Sequence, residues 1–117
     1  MKIYSYANCG TCRKALKLAA ELGVKAEVIA IRDQPPANQE LRHALSTVGG
    51  QLRRLFNTSG VSYREGKYSE RLPGMTIDEA LAHLSHDGNL VKRPMAFLPN
   101  GSVLIGFDEE EWRAALT

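Results

Sequence analysis

Cys9 and Cys12 are the only cysteines of the chain, and they stand in the stretch Asn8-Cys9-Gly10-Thr11-Cys12-Arg13-Lys14-Ala15. The chemistry open to such a pair is sulfur redox chemistry, in which the thiolate rather than the thiol attacks. A free cysteine has a pKa of about 8.5 and is mostly protonated at neutral pH, so a reactive one needs surroundings that favour the anion. The flanking sequence supplies them. A short apolar-aromatic run, Ile3-Tyr4-Ser5-Tyr6, precedes the pair, and a helical pattern follows it to Leu22. A strand that hands over directly to a helix leaves the first helical N–H groups unpartnered. Those donors and the positive end of the helix dipole favour an anion where Cys9 sits. Arg13, in the first turn, adds positive charge. The pattern predicts an acidified, nucleophilic Cys9, with Cys12 one turn inside, more buried and less acidic, as a resolving partner.

Two other readings of the pair stay open at this point. Cys9 and Cys12 could be half of a zinc site completed by His83 and His86. That would need ligands separated by most of the chain, whereas compact zinc modules keep theirs close. The pair could also be two small buried residues without chemistry, since free cysteine is often buried. The strand-then-helix context favours redox chemistry.

The elements that must position the pair can be read in order. Lys2 to Tyr6 is a first strand. The following helix carries apolar residues at Ala15, Leu16, Ala19, Ala20 and Leu22, with lysines off that face. Ala26 to Ile31 is a second strand, and a βαβ unit of this length predicts parallel strands with a right-handed crossover. After a loop at Gln34-Pro35-Pro36-Ala37, Asn38 can cap a helix through Val48 whose inner face is Leu41, Ala44, Leu45 and Val48. Gly49-Gly50 ends it, and Leu52, Leu55 and Phe56 suggest a short further helical piece. Val61 to Pro73 has no sustained period and reads as loop with one helical turn.

Thr76-Ile77-Asp78-Glu79 fits a capping box and opens a helix with Ile77, Ala80, Leu81 and Leu84 on one stripe. His83 and His86 lie off that stripe, facing solvent. Met95–Leu98 and Val103–Phe107 then flank Asn100-Gly101, a hairpin signal that places both central residues at positive φ. Asp108 can cap a last helix, with Phe107 packing on Trp112 as a hydrophobic staple, which makes Trp112 a core residue.

Composition narrows the classes. The chain has 117 residues, enough for one self-sufficient domain, read as a βαβ part over 1–33, a helical insert over 34–74 and an αββα part over 75–117. A net charge of +2 is too small to imply direct nucleic-acid binding. No signal peptide and no membrane-spanning run is visible, and cysteines three apart suit a reducing compartment, so the expectation is a cytoplasmic protein.

Cys-x-x-Cys after the first strand of a βαβ…αββα pattern resembles the thioredoxin fold, which implies an α/β protein with a four-stranded mixed sheet interrupted by a helical insertion. Three stretches go further: Tyr4-Ser5-Tyr6-Ala7-Asn8-Cys9-Gly10-Thr11-Cys12-Arg13-Lys14-Ala15, Leu55-Phe56-Asn57-Thr58-Ser59-Gly60, and Lys92-Arg93-Pro94 followed by Leu104-Ile105-Gly106-Phe107. Together they are similar to the arsenate reductase (ArsC) and Spx-related family, in particular its small YffB-like branch. The resemblance implies that Cys9 is the nucleophile, that Asn8, Gly10 and Thr11 form an anion cradle, and that Arg93 faces the cysteine to hold an oxyanion or thiol substrate. It implies a cis bond before Pro94. Arg53 falls where arsenate reductases carry another site arginine, and Asn57 and Arg64 match positions recurrent in the YffB-like branch.

The departures are equally specific. Glutathione-coupled arsenate reductases of this family place serine where Cys12 stands, a His-Asn-Pro pattern where this chain has Ser5-Tyr6-Ala7, and an arginine near Gly106-Phe107. Cys12 is more like Spx, whose Cys-x-x-Cys pair is a redox switch on a protein that binds RNA polymerase. Two functions follow from the resemblance. One is a monomeric thiol-dependent oxidoreductase without a bound cofactor or metal, resolved by Cys12, glutathione or thioredoxin. The other is a redox-sensing regulator that docks the polymerase α subunit through a surface near Gly50. A thiol scaffold without efficient turnover is the remaining alternative.

Overall fold

The computed structural model describes residues 1–117. In chain order the elements are β1 (Lys2–Ser5), α1 (Gly10–Glu21), β2 (Glu27–Ala30), α2 (Asn38–Thr47), α3 (Val61–Glu65), α4 (Tyr68–Arg71), α5 (Ile77–His86), β3 (Met95–Phe97), β4 (Val103–Ile105) and α6 (Glu109–Leu116), with short 3₁₀ turns at Leu52–Leu55, Leu72–Gly74 and Gly88–Leu90. They form two compact units. One comprises Met1–Ala30 with Arg93–Thr117, and the other Ile31–Lys92. No helix is long and apolar enough to cross a membrane.

The first unit is a four-stranded mixed sheet in the order β2-β1-β3-β4, with β1 and β2 parallel and β3 antiparallel to both β1 and β4. Ile3, Ala96 and Leu104 stand side by side across three strands, because Ile3 pairs with Ala96 and Ala96 with Leu104. Alternation puts all three on one face of the sheet. Ala15, Leu18 and Ala19 of α1 and Trp112 of α6 complete that core. The small side chains at Ala15, Ala19 and Ala96 leave α1 close to the strands, and the indole fills the space beside them. The inner face of α1 is therefore Cys12, Ala15, Leu18 and Ala19, while Ala20, expected inside, is exposed. Cys12 is thus part of the helix face that holds α1 on the sheet.

The hairpin differs from the expected one. Gly101 has φ +90, but Asn100 keeps negative φ. Gly101 donates to the Leu98 carbonyl at 3.0 Å, and Leu98 donates to the Ser102 carbonyl at 2.9 Å, which makes a three-residue loop. Pro99 explains the change, since its ring fixes a negative φ at the first turn position and leaves the left-handed step to the glycine. The last helix follows the expected logic. Asp108 accepts from the Glu111 N–H at 3.0 Å, and the Phe107 and Trp112 rings meet edge-on at 5.5 Å.

In the second unit α2 and α5 present Leu41, Ala44, Leu45, Ala80, Leu81 and Leu84 as buried residues, and Arg42 pairs with Asp78 between the two helices. The capping box of α5 is complete: Thr76 accepts from the Glu79 N–H at 3.1 Å, and Glu79 accepts from the Thr76 N–H at 3.0 Å. Glu40 performs the same service for Ala37, so the N-cap is Ala37, one residue before the expected cap at Asn38. The stretch from Val61 to Pro73, expected to be loop with one turn, contains α3, α4 and a 3₁₀ turn. Its order comes from rings: Tyr63 and Tyr68 stack at 5.9 Å, and both pack on Phe56. Aromatic anchors on helices this short leave no helical period to read.

Gly88 approaches backbone so closely that a Cβ there would lie 1.8 Å from the Ile31 carbonyl oxygen. Gly88→Ala is therefore expected to destabilise the second unit by about 3 kcal/mol, the upper end of ordinary overpacking. Urea denaturation reads this directly, and an unchanged midpoint would contradict the contact.

Candidate active site

The chain leaves β1 at Ser5 and turns back on itself, with the Cys9 N–H donating to the Tyr6 carbonyl at 3.0 Å. Cys9 is the N-cap residue of α1, with an extended backbone (φ −103, ψ 118), and its carbonyl accepts the Arg13 N–H at 3.0 Å. No acidic residue occupies the first turn. Nothing therefore competes with a thiolate for the positive end of the helix.

The Cys9 sulfur is partly exposed and lies 3.1 Å from the Thr11 hydroxyl. Burial alone would raise its pKa. The Thr11 hydroxyl, the thiol and N–H of Cys12 and the Arg93 guanidinium outweigh that effect and bring it down to about 7. Cys12 goes the other way. It is 1% exposed, and burial together with the neighbouring Cys9 charge pushes its thiol up to about 12, against the opposing pull of the Tyr6 backbone and Arg93. The Cys9 thiol is thus partly ionised at neutral pH, while Cys12 stays protonated.

Arg93 reaches this place from the unit's second segment, two residues before β3, whose Met95 pairs with Tyr4 of β1. The Arg93 peptide bond to Pro94 is cis, Pro94 is buried, and the Pro94 carbonyl accepts the Gly106 N–H at 2.8 Å. The guanidinium carbon lies 4.9 Å from the centre of the Tyr6 ring. Asn8 donates its side-chain N–H to the Tyr6 hydroxyl at 3.4 Å. Gly10 is exposed, and a Cβ on it would meet nothing within 4 Å, so the approach to the sulfur over the first turn is open. Arg13, expected to support the thiolate, instead donates to the Ala7 carbonyl at 3.4 Å. The cation that acts on the Cys9 sulfur is Arg93.

The remaining residues suggested by sequence belong to the second unit. Arg53 and Arg64 line a cavity of about 820 Å³ together with Thr58, Tyr63, Ser69 and Met75. Asn57 is built into a turn. Its N–H donates to the Leu90 carbonyl at 2.7 Å, its carbonyl accepts the Gly60 N–H at 3.0 Å, and its side chain occupies the space a Cβ on Gly60 would need. His83 is not solvated as expected. It is half-buried, and its Nδ1 lies 2.8 Å from the Tyr68 hydroxyl. His86 is exposed, with its Nδ1 at 2.7 Å from the Ala82 carbonyl. Sequence reasoning placed Tyr6 at the end of the first strand and in the Ser5-Tyr6-Ala7 stretch but not beside Arg93. An aromatic residue three positions before the nucleophile was the available signal.

A sequence model of the ArsC family matches residues 4–115. The chain belongs to the ArsC family. Among relatives of this ArsC-family chain, YusI of Bacillus subtilis is 41% identical over 112 residues, covering 96% of this chain and 94% of the relative. An arsenate reductase of Neisseria meningitidis is 29% identical over 117 residues, covering 99% of this chain and 97% of its own. The crystal structure of an ArsC-family-related protein from Bacteroides fragilis superposes with a TM-score of 0.90 at 39% identity, covering 99% of this chain and 96% of that one. The fold of this ArsC-family chain is thioredoxin-like, as expected from the Cys-x-x-Cys placement.

One consequence of the geometry is a pH profile. Alkylation of Cys9 depends on its thiolate, so the rate should rise with pH, reach half its plateau at about pH 7 and be about a tenth of the plateau at pH 6. Cys12 should stay unmodified across that range. Iodoacetamide labelling followed by peptide mapping reads both. An inflection at the free-cysteine value, or Cys12 labelled first, would contradict the arrangement.

Proposed function

We propose that this chain is a thiol-dependent oxidoreductase of the arsenate-reductase type, with Cys9 as its nucleophile. The observation that carries the reading is the Cys9 sulfur at the N-cap of α1, with its pKa brought down to about 7 by Thr11, Cys12 and Arg93. The relatives that carry the name arsenate reductase support the same class of chemistry. In the proposed cycle the Cys9 thiolate attacks the oxidised centre, either the sulfur of a disulfide or the arsenic of arsenate. With arsenate, an arsenic-bound oxygen leaves as water, an S–As bond forms, and two thiols are then oxidised to a disulfide as arsenic(V) becomes arsenic(III). With a disulfide, the S–S bond breaks, one half leaves as a thiolate, and the other half remains on Cys9 as a mixed disulfide. A donor thiol then attacks the Cys9 sulfur of that mixed disulfide, releasing the other substrate half as a thiol and leaving the donor on Cys9. A second donor thiol attacks the bound donor sulfur, releasing reduced Cys9 and joining the two donors as a disulfide. The substrate gains two electrons, and the donor thiols lose two and end as a disulfide. Arg93 balances the charge of the incoming anion, with Asn8, Gly10, Thr11 and Arg13 around it.

The state of Cys12 favours an external donor for the second step. A buried thiol pushed up to about 12 is almost wholly protonated at neutral pH and is a slow attacking group. Glutathione, whose carboxylates suit arginine, is the donor we assign, with thioredoxin as the competing one. In this reading the chain works as a monomeric domain in the reducing cytoplasm, Pro94 serves the Cys9 site, and Arg53, Asn57 and Arg64 serve binding on the second unit. The regulator reading keeps one supporting feature, the exposed turn at Gly49-Gly50 after α2. A reductase assay with arsenate and with bis(2-hydroxyethyl) disulfide, driven by glutathione or by thioredoxin and run beside a polymerase pull-down, separates the two. Turnover with either substrate, lowered in Arg93→Lys because lysine keeps the charge but loses the fork, is the expected result. No turnover together with polymerase capture would favour the regulator.

A further inference from the structure

Arg93 is the distal cation of the site, on a long side chain that has many rotamers available. It is half-buried, and no carboxylate pairs with it. Something else must limit where its guanidinium goes. The Tyr6 ring lies 4.9 Å from the guanidinium carbon, within the range in which a planar cation is held over an aromatic face. The ring's hydroxyl and the Tyr6 main chain are each held by a neighbour. Asn8 donates to the hydroxyl at 3.4 Å, and the Tyr6 carbonyl accepts the Cys9 N–H at 3.0 Å. The turn that presents the nucleophile therefore also carries the surface on which the arginine rests.

We propose that Tyr6 is a positioning residue of this site, whose ring holds the Arg93 guanidinium where it serves the Cys9 sulfur and the anion that Cys9 attacks. The assignment rests on the Cys9 reading above. In it the Tyr6 ring acts through Arg93. What the proposal requires of the position is an aromatic face over which the guanidinium rests. Phenylalanine and tryptophan should therefore substitute for tyrosine, and an aliphatic residue of similar bulk should not.

The experiment is the pH dependence of Cys9 alkylation by iodoacetamide in Tyr6→Phe, Tyr6→Trp, Tyr6→Leu, Arg93→Leu and the Tyr6→Leu/Arg93→Leu double variant. Phe and Trp should keep the wild-type inflection. Tyr6→Leu should move it upward and slow labelling at pH 7 roughly two- to fivefold, the scale of an exposed cation–π contact. In the Arg93→Leu background the same change should do nothing further, because the two residues act as one unit. An unshifted Tyr6→Leu would overturn the proposal, and so would an equal shift with and without Arg93. Should Tyr6→Leu fail to fold, Tyr6→Met takes its place in the same comparison. A wild-type inflection at the free-cysteine value is a separate outcome that overturns the Cys9 reading itself.

Discussion

Cys9→Ser is expected to lower reductase turnover by roughly three powers of ten or more, the scale on which loss of a covalent nucleophile is felt. A serine hydroxyl is not ionised by groups that bring a thiol only to about 7. The fold should survive, because Cys9 is an N-cap position with a partly exposed side chain and serine is a favoured cap. Cys12→Ser should behave differently. Its hydroxyl can still donate towards Cys9, and Cys12 is too protonated to be an efficient resolving thiol, so glutathione-driven turnover should stay within about tenfold of wild type. Steady-state assays of the two variants in parallel, with circular dichroism as the folding control, decide this. Equal losses in both would assign the resolving step to Cys12.

The second large effect is on stability. Trp112→Ala should cost about 3–5 kcal/mol, because a wholly buried indole leaves a cavity among Ile3, Ala15, Leu18, Ala19, Ala96 and Leu104. It also removes the Nε1 donor that reaches the Gly106 carbonyl at 3.0 Å, so an acceptor loses its partner. Chemical denaturation monitored by far-UV circular dichroism would show the loss, and a midpoint within error of wild type would contradict the packing described. Phe107→Ala, which removes a partly buried ring packed against that core, should cost less than Trp112→Ala.

What could be read from residues alone follows from local physics. The Thr76-x-x-Glu79 box, the Asp108 cap, the Phe107–Trp112 pair and the βαβ beginning depend on neighbours a few positions apart, and each is found where its pattern places it. The misreadings have equally local causes. Asn100 lost its positive φ to the proline before it. Val61 to Pro73 became helical because Tyr63 and Tyr68 stack on each other and on Phe56, which no periodicity announces. His83 was drawn from solvent by the Tyr68 hydroxyl, fifteen positions earlier.

The site shows the same division. That Cys9 would be the acidic member and Cys12 the buried one followed from a strand running into a helix. Which cation lowers the Cys9 pKa did not, since Arg13 and Arg93 are equally charged in sequence and only the fold turns Arg13 to the Ala7 carbonyl. Tyr6 beside Arg93 joins residues almost ninety positions apart, a pairing that lies beyond any spacing rule.

The most direct test of the Cys9 assignment is the site of the first covalent adduct. Reduced protein mixed with a small excess of bis(2-hydroxyethyl) disulfide at pH 7, quenched with acid after seconds and mapped by mass spectrometry, should carry the mixed disulfide on Cys9 alone, and glutathione added afterwards should remove it. An adduct first on Cys12, or none on either cysteine under conditions that modify a free thiol, would contradict it.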